Sequence, residues 1–179
     1  MPCIGTLAAE NYATGPNDEP LSRGEKGMSS DTNDNIKGKL GLVNYAHPDE
    51  FGKWLGYEVA SVDRDSRSFE STLDIRTDHL SAAGRVHGGV VSAFLDYACG
   101  AAVFTTMQPN DFTSTVELKV NYLHPIELGD HLLAKTNVVF RGNRLCATQG
   151  FLYRNQETEP VAMVTATYYV VSGDRKKKR

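Results

Sequence analysis

The sequence lacks an excess of basic residues: 19 Lys and Arg against 22 Asp and Glu give a formal net charge of −3. Proteins dedicated to binding nucleic acids are normally basic, so the composition argues against that class. The one basic run, 175–179, is typical of a solvated tail, and a nuclear or anionic-surface signal is the alternative interpretation.

Cysteine is also scarce, and Cys3, Cys99 and Cys146 are too far apart for a redox or metal-binding pair. Reduced, mostly buried thiols in a cytoplasmic protein are therefore expected. No basic and then apolar stretch opens the chain, so no secretory signal is predicted. The one long, weakly polar run is Gly88–Met107, and its Gly, Ala, Ser and Thr residues favour a buried helix over a membrane span.

The histidines outside this run have no spacing that would build a metal site. They are His47, His79, His124 and His131. We therefore expect no metal ion. No other cofactor is expected either.

Three segments divide the chain. Residues 1–38 are rich in Gly, Ser, Asn, Asp and Pro without hydrophobic periodicity, and disorder is predicted there. Residues 39–172 are predicted to form a single domain, followed by the tail at 173–179.

Within the domain, hydrophobic periodicity predicts a short helix, two strands, a long enclosed helix and four further strands. The second strand alternates clearly between apolar and polar residues, which is typical of a half-buried strand. The predicted helices begin at Pro48 and at Gly88, and the predicted strands cover residues 57–62, 69–75, 116–122, 132–140, 145–153 and 161–171.

Short turns between the last strands predict an antiparallel meander, with a hairpin turn at Arg141–Arg144. A sheet of this kind has one face to bury, and the apolar helix is the element available to cover it. The predicted fold class is α+β, an antiparallel sheet of five to six strands wrapped around one long central helix.

Asp96 is the only charged residue of the predicted central helix. A carboxylate without a basic partner on an apolar helix is costly to bury, which marks it as a candidate site residue. An exposed helix edge at Asp96 would explain it equally well.

Gly88 and Gly89 open the same helix, although glycine weakens helices and therefore requires a reason. One reason is close approach of a ligand to free N–H groups, which stabilise an oxyanion. A tight loop entering the helix is the alternative. A glycine-opened helix that also bears a lone carboxylate is more specific than either feature.

The spacing has a consequence for assembly. Gly88 and Asp96 are eight residues apart, about 12 Å along a helix. One small reacting carbonyl does not reach both groups of one helix. Two antiparallel helices from two subunits would bring Gly88 of one to Asp96 of the other, so a homodimer with shared sites, or a dimer of dimers, is expected.

Two stretches carry a resemblance to a known family. Gly84–Asp96, with the sequence GRVHGGVVSAFLD, is similar to the signature of hotdog-fold thioesterases of the phenylacetate-degradation (PaaI-like) group. Thr115–Asp130 resembles the third strand and the following Pro…Gly-Asp turn of that family. The similarity extends over roughly residues 42–171.

The resemblance implies a hotdog fold and roles for particular residues. Asp96 would be the general base or nucleophile, the Gly88 amide the oxyanion donor, and His87 an organiser of the turn. Ser81 stands where the family commonly has Asn. Whether its hydroxyl positions the water molecule or the carbonyl as that Asn would is left open. Thr115 aligns with a serine of some relatives.

Strand alternation, however, assigns Thr115 to the polar face of its strand with Glu117 and Lys119. For His87, a structural role at the helix start is favoured over proton transfer, because Asp96 already supplies a base.

Candidate contacts to coenzyme A lie mainly in the predicted hairpin, where a basic turn with free N–H groups suits phosphates. An ordinary polar hairpin tip would look the same. The candidates are Arg141, Gly142, Asn143 and Arg144, together with Arg85 and Gly89 beside the helix start.

The expected function is hydrolysis of an acyl- or aryl-CoA thioester to the free acid and CoA. A serine esterase is excluded because the chain has no Gly-x-Ser-x-Gly elbow, and an Asp-His hydratase fits the Gly-Gly pair less well. The main alternative is a non-catalytic acyl-CoA-binding sensor on the same fold. No nucleic-acid or membrane partner is expected.

Overall fold

A computed structural model describes residues 49–108, 111–171 and 173 of the chain. The segment predicted to be disordered, the tail beyond residue 173, Cys3 and His47 all lie outside these residues.

The order of elements matches the prediction: a short helix, two strands, a long helix and four strands. The central helix ends at Phe104, three residues before the predicted end, because Thr105 to Met107 form turns that close onto Ala102, Val103 and Phe104. The elements are α1 (Glu50–Leu55), β1 (Glu58–Asp63), β2 (Ser68–Asp74), a 3₁₀ turn (Thr77–His79), α2 (Gly88–Phe104), β3 (Phe112–Tyr122), β4 (His131–Arg141), β5 (Leu145–Arg154) and β6 (Ala162–Val171).

The six strands form one antiparallel sheet in the order β1-β2-β4-β5-β6-β3. The predicted meander is present from β4 to β6. It is wrong for β3, which pairs with β6 at the far edge of the sheet and not with β4. The connection at residues 123–130 crosses between the two positions and is held by bonds from the Leu123 and His124 amides to the Val161 carbonyl.

The core lies between α2 and one face of the sheet. Ten of the seventeen residues of α2 are buried, and the inward residues of β2 that alternation selected (Phe69, Ser71, Leu73) are buried with Ile75 just beyond its end. Among the helices of the described ranges, none is long and apolar enough to cross a membrane.

Thr136 of β4 is buried in this core and links α2 to the sheet by hydrogen bonds. Its hydroxyl lies 2.9 Å from the Ala98 carbonyl of α2 and 3.1 Å from the Phe69 carbonyl of β2. Gly150 of β5 makes room for it, since a Cβ there would lie 2.6 Å from Thr136 Cγ2 and 2.9 Å from the Lys135 carbonyl oxygen. Glycine at this position therefore allows the close contact that seats the helix.

We expect Gly150→Ala to lower the free energy of unfolding by about 1–3 kcal/mol, because the added methyl group overpacks the core against backbone. Urea unfolding measures the loss. Gln149→Ala, an exposed neighbour on the same strand, is the control and should stay within about 0.5 kcal/mol of the wild type. A Gly150→Ala protein as stable as the control would contradict this account.

Candidate active site

The helix α2 begins with a histidine cap. The Nδ1 atom of His87 accepts a hydrogen bond from the Gly89 amide at 2.9 Å, as an N-cap side chain does. The ring lies so close that a Cβ on residue 89 would be 3.0 Å from Nδ1. Gly89 is thus explained by its contact with the cap, which is the structural position expected for His87.

Gly88 is held by its carbonyl while its amide stays open. The carbonyl oxygen accepts hydrogen bonds from the hydroxyls of Ser92 and Tyr122, both at 3.0 Å. The Gly88 N–H donates no hydrogen bond to any acceptor among residues 49–108, 111–171 and 173. The amide therefore sits at the positive end of the helix dipole, available to an anionic or carbonyl oxygen.

Asp96 lies two turns further along α2 and is partly buried. Two hydroxyl groups converge on one of its carboxylate oxygens. Thr115 Oγ1 donates to Oδ1 at 3.0 Å, and the Tyr168 hydroxyl lies 2.8 Å from the same atom. The carboxylate is thus fixed by the sheet and is not a free side chain on an exposed helix edge.

Thr115 reaches Asp96 because β3 contains a bulge. Thr115 pairs with Tyr168, but Glu117 pairs with Thr167, so Val116 is an extra residue in the strand. A bulge reverses the alternation on its N-terminal side. Thr115 therefore faces α2, and its assignment to the polar face with Glu117 and Lys119 was wrong; Val116 is 61% exposed.

Ser81 and Arg85 are not brought into this arrangement. The amide and the hydroxyl of Ser81 both donate to the Arg85 carbonyl, at 2.8 and 2.9 Å, and so close a turn before α2. The side chain of Arg85 is exposed. The Ser81 hydroxyl is therefore engaged in turn structure.

The Arg141–Arg144 hairpin is placed as predicted, but its contacts differ from the expectation. The Gly142 amide donates to the Leu145 carbonyl at 2.8 Å, so it is not free for a phosphate. Arg141 bonds Thr106 at 3.2 Å and also the Gly142 carbonyl, while Arg144 bonds the Tyr169 hydroxyl at 3.2 Å. Asn143 is exposed at the tip.

An aromatic cluster, Phe51, Trp54, Tyr57 and Tyr97, covers α2 beside Asp96. Tyr97 stacks on Phe51 at 6.2 Å and lies 4.9 Å from Tyr57 between ring centroids, and Phe51 stacks on Trp54 at 5.6 Å. Phe51 and Trp54 are 51% and 41% exposed.

Asp49, the N-cap of α1, connects this helix to the cluster. Its carboxylate accepts hydrogen bonds from the Gly52 amide and the Tyr97 hydroxyl. These bonds lower the pKa of Asp49. Burial and the bond to Asp49 raise the pKa of Tyr97 above its usual value, so its hydroxyl stays a donor.

The two thiols within the described ranges form no hydrogen bond to Asp96 or Gly88. Cys99 and Cys146 are buried and unpaired. Burial raises the pKa of Cys99 to about 12 and that of Cys146 above its usual value, which disfavours the reactive thiolate. The described residues hold no group of three or more His, Cys, Asp and Glu side chains suited to a metal ion.

Sequence reasoning missed two tyrosines of this site, Tyr122 at Gly88 and Tyr168 at Asp96. A signal for Tyr168 existed. It alternates with Val164, Ala166 and Val170 on the buried face of β6, and a buried tyrosine hydroxyl requires a polar partner.

Comparison with known proteins places this geometry in a family. The family model described as the thioesterase superfamily matches residues 83–161, which include the start of α2, Asp96 and Thr115. The medium/long-chain acyl-CoA thioesterase YigI of Escherichia coli is 31% identical over 133 residues, 67% of this chain and 84% of the relative. The chain belongs to the thioesterase superfamily.

Two further proteins resemble this chain, one in sequence over a shorter segment and one in fold. The "Putative esterase" of Caenorhabditis elegans is 32% identical over 91 residues, which cover 51% of this chain and only 53% of the relative. A phenylacetic acid degradation-related protein from Ralstonia eutropha has the same fold, with a TM-score of 0.65 and 27% identity over 73% of this chain and 98% of that one.

We expect His87→Ala to lower the free energy of unfolding by about 1 kcal/mol, because the Gly89 amide loses its capping acceptor. His87→Ser, which supplies a capping oxygen, should recover most of the loss in urea unfolding. Equal stability of wild type, Ala and Ser proteins would show that the cap contributes nothing.

Proposed function

We propose that this protein hydrolyses an acyl-CoA thioester to the free acid and CoA. The observation that carries the proposal is the pairing, on one helix, of an open Gly88 amide with an Asp96 carboxylate held by two hydroxyls. An oxyanion donor and a carboxylate base or nucleophile are the two groups that acyl transfer requires. The name of the Escherichia coli relative supports an acyl-CoA substrate.

The reaction needs no cofactor. The thioester carbonyl accepts a hydrogen bond from the Gly88 amide, which stabilises the negative charge as it develops on oxygen. Asp96 removes a proton from a water molecule whose oxygen attacks the carbonyl carbon. The carbon–sulfur bond then breaks, the thiolate of CoA leaves, and the acid is released. In a nucleophilic route the same carboxylate attacks the carbonyl carbon directly, and the carbon–sulfur bond breaks with release of the CoA thiolate. Water then hydrolyses the resulting anhydride to the free acid and the Asp96 carboxylate.

Two subunits contribute to each site. Gly88 and Asp96 of one chain are about 12 Å apart along α2, too far to act on one carbonyl. Asp96 lies at the edge of the open face of α2, next to β3, which forms an edge of the sheet. An antiparallel partner helix against this face would bring each Gly88 to the other chain's Asp96 in a two-fold dimer.

In a site shared by two subunits, the arginines that would bind CoA come from different chains. The hairpin contacts Thr106, beyond the C-terminal end of α2, whereas Gly88 is at the other end, about 25 Å away. Arg141 and Arg144 would therefore serve the site to which their own chain supplies Asp96. Their guanidinium groups, with exposed Asn143, are the phosphate contacts; Arg85 and Gly89 belong to the Gly88 end.

The acyl group would lie against the aromatic cluster beside Asp96, where exposed Phe51 and Trp54 offer an apolar surface. Phe94 does not contribute to this surface, because its side chain is fully buried in the core. An apolar acyl or aryl group suits such a cluster better than a polar one.

We expect purified protein to release free thiol from at least one member of a panel of aliphatic and aryl CoA thioesters. Asp96→Ala should lower kcat by about 10²- to 10⁴-fold, because the base or nucleophile is lost. Calorimetric titration with a non-hydrolysable CoA thioether is measured in parallel. Tight binding without turnover by the wild type would identify a sensor and refute the enzyme proposal.

Gly88→Pro tests the oxyanion donor and the sharing together. Proline is tolerated at the first residue of a helix but has no N–H, so kcat should fall by about 10²- to 10³-fold. Gly88→Ala is the matched control. It keeps the N–H, and its Cβ would lie 3.4 Å from the Tyr122 hydroxyl, close to ordinary contact.

Mixing Gly88→Pro subunits with Asp96→Ala subunits should restore one intact site in each heterodimer. Because random mixing yields about half heterodimers, thiol release near one quarter of the wild-type rate is expected for independent sites. If the mixture stays as inactive as its components after verified subunit exchange, the site is not shared.

A further inference from the structure

We infer that Tyr168 is a positioning residue that determines which oxygen of Asp96 reacts. The inference rests on the proposed function, since it assigns Tyr168 to the catalytic carboxylate of that same site. Tyr168 lies on β6, remains 2% exposed, and belongs to neither the helix nor the motif that carry the candidate catalytic groups.

The hydroxyl of Tyr168 has two possible acceptors on Asp96, the carboxylate Oδ1 at 2.8 Å and the backbone carbonyl at 3.0 Å. A phenol carries one proton and donates it once. The charged and closer acceptor forms the stronger bond, so the proton belongs on Oδ1 when Asp96 is ionised.

Thr115 reinforces the same choice of oxygen. Its hydroxyl lies 3.0 Å from Oδ1 and 3.4 Å from Oδ2. Oδ1 thus accepts the shorter bonds of both hydroxyls, while within the described part of the chain Oδ2 has only the longer contact to Thr115. Oδ2 is the oxygen left to take a proton from water or to attack the thioester.

The two donors are fixed relative to each other by the sheet. Thr115 and Tyr168 are directly paired across β3 and β6, so both side chains leave the same face at the same level. The Tyr168 ring is packed in the core and offers little freedom to its hydroxyl. The Asp96 carboxylate would otherwise rotate about its Cβ–Cγ bond. The two hydroxyls therefore hold Oδ1 in place and leave Oδ2 pointing away from them.

Tyr168→Phe removes the hydroxyl and keeps the ring that fills the core. We expect kcat to fall by about 10- to 100-fold, as for loss of a hydrogen bond to a charged group, with KM within about two-fold of the wild type. Tyr153→Phe is the matched control: it deletes a tyrosine hydroxyl on β5 of the same sheet, and both kinetic constants should stay unchanged.

A second pair of variants changes Thr115, the other residue whose hydroxyl bonds Oδ1 of Asp96. Thr115→Val should lower kcat without raising KM, and Thr115→Ser should restore it. Because both hydroxyls hold Oδ1, Tyr168→Phe and Thr115→Val are expected to be non-additive in kcat. Thermal unfolding of every variant separates these effects from loss of fold.

The outcomes distinguish the inference from the function on which it rests. If Asp96→Ala is inactive while Tyr168→Phe is folded and retains wild-type kcat, the positioning role is overturned and the enzyme remains. Equal changes of kcat in Tyr168→Phe and Tyr153→Phe would also overturn it. If Asp96→Ala keeps full activity, the proposed catalytic site itself is wrong.

Discussion

The site depends on the burial of α2 against a single face of the sheet. Ten of its seventeen residues are buried, and the Thr136 hydroxyl fixes its middle from β4. With the sheet-facing side packed, only a narrow face of the helix stays open. Gly88 and Asp96 belong to that helix, so one packing interaction fixes the direction in which both groups point.

Among the residues that the structure describes, Asp96 forms no ion pair, and the electrostatics of the site follow from secondary structure and hydrogen bonds. The Gly88 amide is open because it lies in the first turn of a helix, where backbone N–H groups lack helical acceptors. The first turn of α2 also contains no acidic residue that would compete for that amide. At Asp96, two neutral hydroxyls supply the hydrogen bonds that hold the carboxylate.

Local sequence signals predicted the parts of the fold that local physics determines. The cap and glycines at residues 87–89 mark the true start of α2, and alternation selects the buried residues of β2. The position of β3 beside β6 depends on contacts distant in sequence, and alternation alone does not reveal the bulge at Val116. Alternation therefore assigned Thr115 to the wrong face of its strand.

The bulge at Val116 divides β3 into two stretches, and the residues that face α2 differ in parity between the two. Leu118, Val120 and Tyr122 face α2 on one side of it, and Thr115 faces α2 on the other. Deleting that single residue would turn Thr115 outward while leaving Tyr122 in place. Loss of this one residue, with Asp96, Thr115 and Tyr168 all retained, would thus remove the Thr115 hydrogen bond that supports the carboxylate.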